Sequence, residues 1–225
     1  MGYAALCSGG KDSTLAIWLA ERDGLSVDHL ITMAPERDDS YMFHHPNTHL
    51  MPEIAQSMDK KLTTITTKGE KEGELNDLKN GLMKLDVDGV VSGAVASNYQ
   101  KTRIDDLCSE LDLESVSPLW NMEQKSIIEL LIELGFETII VAVAAYGLDE
   151  SWLGKHIDRT RLKELEGLED KYKINVAGEG GEYESFTLNC PSYKWGFKVA
   201  EAEKKWDGHR GTYEIKKLKK IENKV

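Results

Sequence analysis

Apolar residues recur along this chain in two rhythms, short unbroken runs and stretches with helical spacing, and the two alternate for most of its length. "YAALC" (3–7) is an apolar run that stops at Ser-Gly-Gly, which predicts a buried strand. "DSTLAIWLAERDG" (12–24) sets Leu15, Ala16, Leu19 and Ala20 on one helical face and closes on Gly24. "SVDHLITMA" (26–34) predicts a strand, and "PERDDSYMFHHPN" (35–47) a polar, proline-bounded irregular stretch. A helix follows over 48–59, with Pro52 in its first turn, and then a β-branched strand over 61–67. A weaker helix over 71–85 leads to a strand over 87–95. Residues 97–112 space Ile104, Leu107, Cys108 and Leu111 as a helix, "SVSPLW" (115–120) is a short strand or loop, and 123–135 is a helix closed by Gly135. "FETIIVAVAA" (136–145) is apolar almost throughout, as in a strand covered on both faces.

This alternation predicts an α/β fold, a doubly wound and mostly parallel sheet between helices, over residues 1–145. Ligands in such sheets bind beyond the carboxyl ends of the strands. From 146 to 225 the rhythm changes to a charged helix over 159–172, a glycine and glutamate turn at "GEGGEYES" (178–185), and alternating residues over 193–222 with a hairpin turn at "WDGHRG" (206–211). That pattern predicts a smaller α+β domain.

Charge changes the picture in one respect. The net charge of −11 is unevenly spread: residues 193–225 hold ten Lys and Arg against five Asp and Glu, and residues 1–192 hold eighteen against thirty-four. An acidic body argues against direct, sequence-independent nucleic-acid binding. The basic end either meets an acidic partner or is a solvated strand surface. No apolar run nears the ~20 residues of a membrane helix. "MGYAALC" lacks a signal peptide's basic start, and Leu6 stands where myristoylation wants Ser or Thr. Cys7, Cys108 and Cys190 are far apart and odd in number, which fits neither a disulfide framework nor a CxxC metal site. A cytoplasmic setting is the expectation.

The candidate chemistry starts at "CSGGKDST" (7–14). A Walker loop would need glycine where Ala5 stands and Ser or Thr where Asp12 stands, and no GxGxxG is present. The placement still suits phosphate: first strand, tight glycine turn, helix start. Gly9 and Gly10 allow close backbone approach to an anion, helix amides point at it, Ser8 and Ser13 offer hydroxyls, and Lys11 offers charge. Capping alone would explain Asp12 and Ser13, but not the two glycines and the lysine as well.

"SGGKDS" (8–13) resembles the pyrophosphate-loop signature of the N-type ATP pyrophosphatases. That likeness implies an adenine nucleotide alpha hydrolase-like fold, ATP split between its α and β phosphates, and Mg2+ sharing the phosphate charge, with Asp12 as its candidate ligand. "SYMFHHPN" (40–47), "VSGAVASNYQKTR" (91–103), "SPLW" (117–120) and "GEGGEYES" (178–185) resemble, in this order, segments of the diphthine–ammonia ligases, with the likeness running from residue 3 to about 195. It implies a protein substrate, the diphthine side chain of translation elongation factor 2. ATP adenylates its carboxylate, and ammonium supplies the nitrogen that makes diphthamide. A homodimer is left open. No cysteine stands in the setting of a glutaminase nucleophile, so ammonia is expected to arrive free.

The same likeness directs attention to further residues. Met42 and Phe43 would flank the adenine, and His44 would touch ribose or phosphate. Gly93, beyond a strand end, would admit nucleotide or acyl-adenylate. Ser97, Tyr99, Gln100 and Arg103 would face the acceptor, with Arg103 on the α-phosphate; a helix cap for Ser97 and an ion pair of Arg103 with Asp105 or Asp106 are the plainer readings. Glu179, Glu182, Tyr183 and Glu184 would bind the acceptor, and Glu182 and Glu184 would orient or deprotonate ammonium. A solvated acidic turn is the plainer reading there. His44, His45 and His49 lack a fourth partner for zinc. Two rival functions remain: another AMP-forming enzyme acting on RNA or a small acid, and a nucleotide-binding sensor without turnover.

Overall fold

A computed structural model of the chain describes residues 2–35, 46–67 and 71–222. These pack as two units, Met1–Trp120 and Asn121–Val225.

In the first unit, strands β1 (Gly2–Leu6), β2 (Val27–Pro35), β3 (Lys61–Thr67), β4 (Val87–Val91) and β5 (Glu114–Val116) form one sheet in the order β3-β2-β1-β4-β5. Every pairing in it is parallel. The order reverses between β1 and β4, so the crevice beyond their carboxyl ends is the topological switch point. Helices α1 (Lys11–Arg22), α2 (Met51–Met58), α3 (Lys71–Leu82) and α4 (Asn98–Glu110) make the crossovers. Leu78 and Leu82 of α3 and Ile104, Leu107 and Cys108 of α4 bury one sheet face with Ala4, Ile31 and Val90. Pro52 lies in the first turn of α2, where its missing N–H costs nothing. Ser97 caps α4, its hydroxyl accepting from the Gln100 amide at 3.3 Å.

The second unit contains α5 (Gln124–Glu133), β6 (Glu137–Val143), α6 (Arg159–Tyr172), β7 (Tyr183–Asn189), β8 (Gly196–Trp206) and β9 (Gly211–Ile221). Its sheet has the order β7-β6-β9-β8, and its pairings are antiparallel. Here the sequence expectation is corrected. The apolar run at 136–145 is a strand, but β6 pairs with β7 and β9 and not with the parallel sheet. The architecture therefore changes at Trp120/Asn121 and not after residue 145. A continuous apolar run records only that both faces are covered, which an interior strand of either sheet satisfies. The segment at 154–157 closes the other edge of β6, with Gly154 N–H donating to the Ile140 carbonyl and Ile140 N–H to the Lys155 carbonyl at 2.8 and 2.9 Å.

β8 and β9, eleven residues each, form a hairpin turned by Asp207, whose carboxylate accepts from the His209 and Arg210 amides at 2.8 and 2.7 Å. Its lysines are partly neutralised within the ribbon: Lys205 meets Glu214 at 2.9 Å, Lys216 bonds Glu214 and lies 3.5 Å from Glu203, and Lys220 sits over the Trp195 ring. These pairs favour the solvated-surface reading of the basic end. Hydrogen bonds from Lys205 and Lys216 hold the Glu214 carboxyl down to about 2. A depressed carboxyl pKa adds stability above the ordinary glutamate range and loses it as pH falls through the folded value. Carboxyl NMR titration should place the Glu214 midpoint near 2 at low salt; a midpoint near the ordinary 4.5 would show that the ribbon does not hold these pairs.

Candidate active site

The turn from β1 into α1 is built from its own backbone outward. Gly9 adopts φ 79°, a region that glycine enters without strain. Gly10 is the N-cap of α1, and no side chain caps the helix there. Its carbonyl gathers three donors: the Thr14 amide at 3.1 Å, the Thr14 hydroxyl at 2.8 Å and the Ser13 hydroxyl at 3.2 Å. The amides of the first helical turn are then directed outward at the crevice, where an anion would meet them. Ser8 Oγ lies 3.4 Å from the Gly10 amide.

Lys11 is only 3% exposed. Its Nζ lies 2.6 Å from Asp12 Oδ2. Asp12 Oδ1 is buried with no hydrogen-bond partner. A buried carboxylate oxygen without a partner is unusual unless a hydrogen-bond donor or a cation completes it.

Gly93 lies across from this turn. A Cβ there would stand 2.7 Å from the Ser13 nitrogen and 2.8 Å from the Asp12 carbonyl carbon. Glycine at 93 is thus required by the chain itself, because the start of α1 rests on the loop after β4. Ser92 ties the same loop down through Ser117 at 3.0 Å.

Tyr99, Gln100 and Arg103 lie on α4, which Ser97 caps. Arg103 stacks its guanidinium 4.2 Å over the Tyr99 ring. It lines a cleft of about 280 Å³ between α3 and α4, together with Leu75, Asn76, Lys79, Asp106 and Glu110, and none of residues 8–13 lines that cleft. Asp105, a plainer partner for Arg103, is engaged by Lys101 at 2.5 Å and by Ser115 at 2.7 Å. Ser97 and Gln100 form the cap of α4. Met42, Phe43, His44 and His45 lie outside the described residues.

In the second unit the "GEGGEYES" segment is a tight turn entering β7. Glu182 folds back over it: its two carboxylate oxygens accept from the Asn175 and Gly180 amides, each at 2.8 Å. Gly178 and Gly181 take φ 77° and 82°. Tyr183 is buried, its hydroxyl donating to the Val176 carbonyl at 2.8 Å. Glu179 and Glu184 are half-buried, and Glu184 stands opposite Ala142 of β6. Glu182 and Tyr183 thus build the turn. Periodicity had no means of revealing that role, which needs the return of the chain at Asn175.

All three cysteines are buried, and burial pushes the Cys7 thiol up. That is the opposite of an activated nucleophile. Among the described residues no group of three or more His, Cys, Asp or Glu could hold a metal, and no helix is long and apolar enough to cross a membrane.

Comparison with known proteins bears on which chemistry this geometry serves. Residues 1–115 match the family described as diphthamide synthase N-terminal domain, and residues 123–221 match the diphthamide synthase C-terminal domain. The chain belongs to the diphthamide synthase family. A diphthine–ammonia ligase from Bos taurus is 35% identical to it over 218 residues, 86% of this chain and 81% of that protein. The diphthine–ammonia ligase of Homo sapiens is 34% identical over the same shares. A solved structure, a predicted subunit of tRNA methyltransferase from Methanocaldococcus jannaschii, aligns at TM-score 0.45 and 16% identity, covering 85% of this chain and 98% of that one. At that level it carries no argument.

Two outcomes test the local geometry. Gly93→Ala should destabilise the protein by about 1–3 kcal/mol, since the atoms in its way are helix backbone; an unchanged urea midpoint would show that α1 does not rest on this loop. Glu182→Gln turns one acceptor into a donor facing an amide N–H. Hydrogen exchange at the Asn175 amide should then quicken by about tenfold or more. Exchange at the wild-type rate would remove Glu182 from the turn's architecture.

Proposed function

We propose that this chain is an ATP-dependent ligase that converts the diphthine side chain of translation elongation factor 2 into diphthamide, taking its nitrogen from free ammonium. The observation that carries the reading is the buried Lys11–Asp12 pair on the glycine turn at the sheet's switch point, in a chain of the diphthamide synthase family.

The chemistry follows from that turn. A carboxylate is a poor acceptor of ammonia because its oxygens are poor leaving groups. Attack by a carboxylate oxygen on the α-phosphorus of ATP forms an acyl-adenylate and expels pyrophosphate. The α1 amides and Lys11 would hold the β and γ phosphates as one unit and stabilise the charge that develops as they leave. Ammonia then attacks the acyl carbon, and AMP departs with the former carboxylate oxygen.

Asp12 fits Mg2+. Its orphaned Oδ1 is a hard oxygen donor, and a magnesium ion bound through one or two carboxylates takes its remaining ligands from phosphates and water. Bound there, the ion would share the phosphate charge. In the second unit, Glu184 would take the proton that ammonium must lose before ammonia can attack, with Glu179 on the acceptor's cationic side. The three buried cysteines support free ammonium as the nitrogen source over a glutaminase route.

The test is mass spectrometry of diphthine-modified elongation factor 2 incubated with the protein, ATP, magnesium and ammonium. The expected product carries the small mass loss of a carboxyl hydroxyl replaced by an amino group, and it needs all three additions. Lys11→Ala should cut the rate by about a hundredfold or more with the fold intact. Unmodified factor under every condition, or near-normal turnover by Lys11→Ala, would overturn the reading.

A further inference from the structure

Tyr146 is 80% exposed, and among the described residues only Met83 is also a large apolar side chain so open to solvent. The phosphate chemistry makes no use of it. Its position is set by the strands. Val143 at the end of β6 pairs with Tyr183, and the Ala144 amide donates to the Glu182 carbonyl at 2.9 Å. Tyr146 emerges two residues later.

The ring is held there. It meets Tyr172 of α6 edge to face, with centroids 4.9 Å apart and planes at 87°. Gly147 has φ 94°, and a Cβ on it would stand 2.7 Å from Tyr172 Cδ2. The backbone is thus shaped around the ring pair, which a merely solvated tyrosine would not require. The surface already attracts one cation: Lys171 Nζ lies 4.7 Å from the Tyr172 centroid, and hydrogen bonding to Tyr172 raises the Lys171 pKa.

We propose that Tyr146 and Tyr172 form an aromatic surface that receives the quaternary ammonium of the acceptor side chain and so selects a trimethylated substrate. The proposal rests on the diphthine reading, because diphthine carries a trimethylammonium as well as the carboxylate to be activated. A quaternary ammonium has no N–H to donate, so hydrogen-bond acceptors cannot orient it. Ring faces can.

The experiment titrates the intact protein, labelled at tyrosine rings, with tetramethylammonium chloride and follows the rings by NMR. Tyr146 and Tyr172 should shift saturably, while tert-butanol, similar in shape but neutral, should leave them unmoved. Tyr146→Leu should abolish the shift and Tyr146→Phe should keep it. Lys171→Met, which vacates the Tyr172 face, should tighten tetramethylammonium binding. In turnover, Tyr146→Leu should raise the KM for the diphthine-bearing protein about threefold to tenfold and leave the KM for ATP unchanged. No saturable shift, an equal shift in Tyr146→Leu, or equal binding of tert-butanol would overturn the proposal. If the wild-type protein amidates nothing, the ligase reading fails, and the titration still decides whether the aromatic surface binds quaternary ammonium.

Discussion

Two backbones meet at the first turn of α1, and the rest of the first unit is arranged around that contact. The loop leaving β4 comes so close to Asp12 and Ser13 that residue 93 has no room for a side chain. On its other side, the turn folds Ser13 and Thr14 back onto the Gly10 carbonyl. With the helix start fixed from both directions, its amides, Lys11 and Asp12 occupy the crevice where the strand order reverses. An anion bound there would meet groups already oriented, so little reorganisation would remain if charge moved onto a departing pyrophosphate.

The second unit uses the same economy with opposite charge. Glu182 spends its carboxylate on two backbone amides of its own turn. Tyr183 does likewise with the Val176 carbonyl. Glu179 and Glu184 are half-buried in the same segment. An acidic, aromatic surface suits a cationic acceptor, as a lysine-bearing helix start suits polyphosphate.

Much of this was legible in the residues. Helix and strand periodicity placed the parallel sheet, Pro52 and Ser97 marked helix starts, and "SGGKDS" pointed to phosphate because no lesser role needs two glycines and a lysine together. What periodicity could not reach was partnership. The apolar run of β6 looks the same in a parallel or an antiparallel sheet, and its neighbours lie far along the chain at β7 and β9. Strand β7, which begins inside the glutamate turn, was hidden by the turn's glycines. Gly93 read as room for a ligand, and the structure sets α1 backbone against it as well. Glu182 read as a chemical group, and its carboxylate also braces the turn, since the amide it binds at Asn175 is visible only when the chain has folded back.

The account stands on where ATP is cut and what carries the cut bond's oxygen. The most direct measurement uses diphthine-modified elongation factor 2 with its acceptor carboxylate enriched in oxygen-18, and follows the label into the nucleotide and phosphate products by mass spectrometry. An acyl-adenylate route predicts one labelled oxygen in AMP and none in pyrophosphate. Label in inorganic phosphate with ADP as the nucleotide product, or amide formed with unlabelled AMP, would contradict the claim that this glycine turn holds pyrophosphate as the leaving group.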